Sequence, residues 1–320
     1  MIEIKDRVPT KPNRVKLTSE EDGTVKYYTL SRADEPTVDG TPINKELFDS
    51  IQTDIDNLNK NGKPNLIING DFKIWQRYNS FGNIQNKYCA DRFYLYNPTN
   101  QTEYVEKSDY VPDGRFANSI HITSRPTDNT HLRYKLTEVL KGTFTLSFWY
   151  KSTVVFKTFI YDGGEIQLGE SNSNDEWTKA VYTFEANNLT YIDLIHSMTE
   201  ADVYITGVKL EYGDYASEFI SKPYDEELAD CRKYFIKGHQ DIMDAVTSTS
   251  TVFWGGTIPT MRTSPTITFT KIYEEHGDEV VLSAIKTFNV ANGVLKNIIF
   301  TGTPGSQHIR YVADLDAEIY

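Results

Sequence analysis

The chain carries 45 Asp and Glu residues, and a pair of carboxylates is the usual apparatus for cutting a glycosidic bond. Such a pair needs a fixed separation and split pKa values, and no local motif here points to one. The six histidines, His121, His131, His196, His239, His276 and His308, show no i, i+4 spacing. The nearest two, His121 and His131, flank a turn, so spacing predicts surface or strand-end roles rather than metal ligation. Neither a Gly-x-Ser-x-Gly elbow nor a Gly-rich phosphate loop occurs. Cys89 and Cys231 lie far apart without metal-type spacing and read as reduced thiols. The expectation is a protein that is not an enzyme and takes no cofactor.

Two sets of residues suit binding instead. In Asn69-Gly70-Asp71-Phe72 a glycine allows a tight turn, and Asn69 and Asp71 offer oxygens to a hard cation such as a structural Ca²⁺; a turn without an ion is the alternative. Aromatics make up 13% of the chain, with 21 Tyr and 16 Phe against 4 Trp. Most of these rings suit the packed faces of strands. An exposed ring also covers the apolar C–H face of a sugar while its polar tip bonds hydroxyls. Trp75, Tyr78, Tyr94, Tyr96, Tyr161 and Trp177 are the candidate carbohydrate-binding positions, whereas Trp149, inside an apolar run, is expected in the core.

These residues must be positioned by strands. Arg14–Thr18 and Thr24–Leu30 flank a Gly-containing turn and predict a hairpin. A helix is expected from about Asn44 to Asn59, with Leu47, Ile51, Ile55 and Leu58 on one narrow stripe. That stripe needs a cover, either the chain's own hairpin or the same helix of neighbouring subunits. Asn61-Gly62-Lys63-Pro64 marks a boundary. Beyond it, eight strand-like segments run to residue 222: Asn65–Ile68, Ser119–Thr123, Leu132–Leu136, Thr143–Ser152, Val155–Tyr161, Trp177–Phe184, Thr190–Ile195 and Asp202–Glu211. Short strands without intervening helices predict a two-sheet sandwich of jelly-roll type. Residues 223–237 switch to a helical period, with Leu228, Cys231, Tyr234 and Phe235 on its apolar face. The β pattern then returns, clearest in the last run, where Ile309, Tyr311, Ala313, Leu315, Ala317 and Ile319 share a face, with Val312 the exception on the other.

The expected fold is therefore mainly β: a β-sandwich, with a short N-terminal hairpin-plus-helix segment (1–62), a jelly roll (63–222), and a short helix followed by a small β domain (223–320). A formal charge of −12 without a clustered Lys/Arg stripe argues against nucleic acid. No apolar run is long enough to span a bilayer, and residues 1–30 lack a signal-peptide h-region. Assembly in the cytosol is the expectation, with any exit from the cell by lysis or as part of a particle.

Three stretches are similar to one family. Asn65-Leu66-Ile67-Ile68-Asn69-Gly70-Asp71-Phe72-Lys73-Ile74-Trp75-Gln76-Arg77 resembles the NLLINGDFxxWQRG opening of phage tail-fibre and receptor-binding proteins. Tyr88-Cys89-Ala90-Asp91-Arg92-Phe93 resembles the YTADRW that follows it. Lys209-Leu210-Glu211-Tyr212-Gly213 and the run from Pro223 to Phe235 resemble LExGxxATPFExRxYxEELxxCqRYY. Tyr78 replaces the family's Gly and Phe93 its Trp. The resemblance implies a galactose-binding-like jelly roll in a virion tail or baseplate. Its partners would be other tail proteins and host cell-surface glycan, in a homotrimer anchored through residues 1–62 and the stripe helix. An architectural decoration or connector protein, and a glycan depolymerase, are the alternatives.

Overall fold

A computed structural model describes residues 14–18, 22–29, 45–61, 63–82, 86–96, 104–123, 130–198, 202–246, 251–257, 259–274, 285–291, 294–300 and 308–318. The chain divides into two units, Met1–Gly62 and Lys63–Tyr320.

In the first unit, strands β1 (Arg14–Thr18) and β2 (Val25–Thr29) pair antiparallel, from Arg14 opposite Thr29 to Thr18 opposite Val25. The Asp22 carboxylate accepts from the Thr24 amide at 3.0 Å and its hydroxyl at 2.7 Å, and Gly23 supplies a φ of 68°, so the turn chemistry read from the sequence is present. Helix α1 spans Lys45–Asn61. On its stripe Leu47 is half-buried and Ile51 is exposed; the side chains of Ile55 and Leu58 lie outside the described residues.

The second unit begins with ten strands: β3 (Ser80–Gly82), β4 (Lys87–Tyr88), β5 (Phe93–Tyr96), β6 (Tyr104–Ser108), β7 (Ser119–Thr123), β8 (Thr130–Ser152), β9 (Lys157–Asp162), β10 (Glu165–Glu170), β11 (Asn174–Met198) and β12 (Asp202–Tyr212). After helix α2 (Tyr224–Arg232) come β13 (Phe235–Val246), β14 (Thr251–Thr257), β15 (Thr266–Glu274), β16 (Ile285–Ala291), β17 (Val294–Phe300) and β18 (His308–Asp316). The last six form one antiparallel sheet in the order β15-β18-β13-β14-β17-β16.

The long strands β8 and β11 organise the first ten. Each merges two segments that the turn signals separate in the sequence. They pair with each other along their length, with register shifts at Ala186/Leu189 and Leu189/Tyr191. The alternation of β8 breaks at Thr137, Glu138 and Val139, all exposed, and Gly142 follows with a φ of 141°. On either side of this break the partners change. The first half of β8 pairs with β5, while its second half pairs with β12. Strands that bend from one layer into another turn the corner of a sandwich this way. Leu132, Tyr134, Ile160 and Ile192 from one layer share a single core with Leu146, Phe148, Ile120, Val203 and Ile205 from the other. The fold is a mainly antiparallel β-sandwich.

Three local expectations are corrected. Asn65–Ile68 is not a strand, because the Asn65 side chain replaces a peptide unit. Its Nδ2 donates to Val208 O at 2.9 Å and its Oδ1 accepts from the Leu210 amide at 3.1 Å, along the edge of β12. Gly70 completes this edge by accepting from the Val208 amide, and a Cβ on it would lie 2.2 Å from Val208 O. The second helix stops at Arg232, since Phe235 already pairs opposite Asp316 of β18. Trp149 points away from the core and packs half-buried on Phe116, with ring centroids 6.4 Å apart.

Residues of the stretches 65–77, 88–93 and 223–235 meet in one buried joint between the sandwich and the C-terminal sheet. Asn69 donates its amide hydrogens to Ile74 O and Asp91 O, accepts from the Ile74 amide, and gives its own backbone N–H to Glu227. Gln76 bridges the Asp91 carboxylate and Phe235 O. Arg92, fully buried, pairs with buried Glu318 at 2.6 Å and lies 3.7 Å over the Tyr234 ring. Burial pushes the Asp91 carboxyl up to about 6 despite the nearby Arg77 cation.

Candidate functional site

The residues that alternate away from the core on β5, β8, β11 and β9 form the most chemically diverse face of the sandwich. Phe93 and Leu95 enter the core, so Tyr94 and Tyr96 stand outward; Leu132 and Tyr134 enter it, so His131, Arg133 and Lys135 stand outward. Register then builds rows across the strands. Tyr94 lies opposite Arg133, and Tyr96 opposite His131. Arg133 lies opposite Asp193, and Lys135 opposite Tyr191. Asp193 in turn lies opposite Phe159 and Tyr191 opposite Tyr161, which is followed by Glu165.

At the centre, Arg133 holds Asp193 through two hydrogen bonds, Nε to Oδ1 at 2.7 Å and a terminal nitrogen to Oδ2 at 2.9 Å. This forked geometry fixes both groups in orientation. The guanidinium carbon sits 4.0 Å over the Tyr191 ring and 5.0 Å over Tyr96. Tyr191 stacks on Tyr161 at 4.9 Å with 16° between planes. His131 Nδ1 lies 3.3 Å from Asp193 Oδ2 and His196 Nδ1 3.5 Å from the same oxygen. Burial opposes the Asp193 charge, but hydrogen bonds from Arg133 and His131 outweigh it and hold the carboxyl below its ordinary range. Burial, reinforced by neighbouring His131, lowers the His196 pKa, so its imidazole is neutral near pH 7.

His196 reaches this face through an irregularity. It follows Asp193 by three positions, which in a regular strand sends the two side chains to opposite faces. A register shift lies between Asp193 and Ile195, and Leu194 and Ile195 are both fully buried. The extra residue reverses the parity, as bulges do where they re-aim side chains.

Of the aromatic positions singled out in the sequence, the structure brings Tyr94, Tyr96 and Tyr161 together here, all half-buried. It adds Tyr191, Arg133, Asp193, His131 and His196, which no sequence motif marks. Trp75 is a correction: it is a core residue, 9% exposed, and its indole N–H donates to Phe72 O at 2.8 Å. Tyr78 is 65% exposed beside the joint, with Lys237 Nζ 4.3 Å over its ring. Trp177 stands on the opposite layer, 5.7 Å from Tyr110 and 6.3 Å from Tyr204, whose ring stacks on His121. Of the two cation candidates, Asn69 spends its carboxamide on backbone groups, while Asp71 accepts from Ser221 and lies 3.4 Å from Lys73 Nζ.

No protein-family model matches the chain, and no curated protein matches it. Among solved structures, it is similar to a putative sugar binding protein from Bacteroides thetaiotaomicron, at 15% identity over 47% of this chain and 100% of that one, with a TM-score of 0.35. It is also similar to the enzymatically active domain of bacteriophage CBA120 tailspike protein 4, at 13% identity over 46% of this chain and 21% of that one, with a TM-score of 0.33. A third is TmCBM61 in complex with β-1,4-galactotriose, at 12% identity over 47% of this chain and 99% of that one, also with a TM-score of 0.33.

Proposed function

We propose that the sandwich recognises a glycan through the outward face of β5, β8, β11 and β9, and that the chain serves without catalysis as a receptor-binding protein of a phage tail fibre or baseplate. The observation that carries the glycan reading is the rows themselves. Four half-buried tyrosines, Tyr94, Tyr96, Tyr161 and Tyr191, are interleaved with Arg133, Lys135, Asp193 and Glu165. Rings supply flat apolar area for sugar C–H groups, and the fixed polar groups between them supply direction for hydroxyls. The virion role is supported by the motif resemblance. Trimerisation through the stripe of α1 would multiply weak sugar contacts into avidity.

The test is binding of the full chain to a glycan array and to isolated cell-wall polysaccharide. Selective retention is expected, and Tyr191→Ala or Tyr161→Ala should weaken it roughly tenfold, about 1.4 kcal/mol. Absence of binding even at high avidity would leave an architectural role in the particle.

A further inference from the structure

Within that face, His131, Asp193 and His196 present one ligand atom each, and these atoms all lie within 4.8 Å of one another. We propose that they form a site for a divalent transition-metal ion of the zinc type. Bond lengths of about 2.0–2.2 Å to imidazole nitrogen and carboxylate oxygen, in a tetrahedron, require ligand atoms about 3.3–3.5 Å apart. The two edges that meet at Asp193 Oδ2 are 3.3 Å to His131 Nδ1 and 3.5 Å to His196 Nδ1. The first is a weak hydrogen bond and the second is long for one, and both separations suit an ion bridging the three groups.

The state of the imidazoles agrees with this. His131 is 4% exposed, and its Nε2 is buried without a hydrogen-bond partner among the described residues. His196 Nδ1 is also buried without one. The unpartnered His196 Nδ1 costs free energy that a bound ion would recover, whereas the His131 edge to Asp193 runs through Nδ1. Two imidazoles and one carboxylate form a donor set that zinc-type ions accept, leaving a fourth position for water or an outside donor. Arg133 occupies one side of Asp193, and a carboxylate with about four lone-pair sites retains room for both the fork and an ion. The guanidinium then holds the ligand from behind, as outer partners of metal-binding carboxylates do.

The experiment uses the full chain without an affinity tag, stripped with chelator and titrated with Zn²⁺ by calorimetry and with Co²⁺ by visible absorption. One equivalent is expected to bind, with the absorption of tetrahedral Co²⁺, and Zn²⁺ should raise the unfolding temperature. His196→Ala, at a partly exposed position, should lose at least ~10-fold in affinity and the Co²⁺ absorption. The control His121→Ala, on the other layer, should retain both. Failure of the parent chain to take up one equivalent overturns the site, and so does unchanged binding by His196→Ala. Because the readout is the metal alone, the outcome is separate from glycan binding.

Discussion

Two buried arginine–carboxylate pairs in this protein have nearly the same chemistry and opposite settings. Arg92 meets Glu318 at 2.6 Å, both side chains fully buried, with Tyr234 at 3.7 Å under the guanidinium. Arg133 meets Asp193 at 2.7 Å with Tyr191 at 4.0 Å, but 14% of its side chain reaches solvent. Around the first pair the rings belong to packed layers; around the second they stand half-open in rows. The contrast teaches that an Arg–carboxylate pair is an anchor wherever the surrounding rings are spent on packing. Where the rings remain available, the same pair becomes part of a surface.

Removing each arginine is the strongest way to break this comparison. Arg92→Ala leaves Glu318 buried without its closest cation and should cost about 3–5 kcal/mol of stability. Arg133→Ala removes the forked hydrogen bonds to Asp193 but leaves it the contact with His131 and a partly open face, and should cost about 1.5–3 kcal/mol. Urea unfolding of both variants measures the difference. Equal losses would mean that the outward face is as structural as the joint.

Acid should separate the regions next. Asp91 in the joint has its folded pKa raised from 3.8 to about 6, chiefly by burial. The folded state therefore binds this proton more tightly than the unfolded chain, and stability rises as pH falls from about 6 to about 4. Burial likewise raises Glu227, which accepts from the Asn69 backbone in the same joint, in the same direction. Asp193 is depressed, so its contribution is present above its unfolded value near 3.8 and is lost as pH falls further. Unfolding midpoints at pH 7, 5 and 4 should show a gain on the order of 1–3 kcal/mol, and Asp91→Asn should abolish most of it.

Strand parity decided how much of this was legible in the sequence. The final strand was readable because its inward positions recur at every second residue: Tyr311, Ala313, Leu315 and Ala317 are all buried, and only Glu318, expected on the outer face, departs by being buried as well. The N-terminal hairpin was readable from its turn residues. The lengths of β8 and β11 were not, because exposed residues 137–139 and exposed Asn187-Asn188 interrupt the apolar pattern, while pairing resumes beyond them. Tyr94, Tyr96 and Tyr161 were visible as rings, but their shared face depends on which strands neighbour each other. His131 and His196 look scattered because their approach requires both the β8–β11 register and the bulge after Asp193. Trp75 misled for a related reason, since an aromatic followed by Gln76 and Arg77 suits an exposed position, yet the segment outside any strand turns it into the core. The conspicuous Asn-Gly-Asp-Phe and Ala-Asp-Arg-Phe runs belong to the joint, where they satisfy backbone groups.

The smallest effect sharpens the boundary between the two regions. Tyr78 is the most exposed of the aromatics singled out in the sequence, so exposure alone would make it the best sugar contact. It lies at the rim of the joint under Lys237, whose ammonium also donates to Arg77 O, and is absent from the rows of the outward face. An exposed cation–π contact is worth about 0.5–1 kcal/mol, which limits what Tyr78→Ala can cost in stability. Glycan affinity should change less than about twofold, under 0.4 kcal/mol, while Tyr191→Ala changes it severalfold more. A large loss of binding at Tyr78 would move the sugar to the joint, and the joint could then no longer be read as purely an anchor.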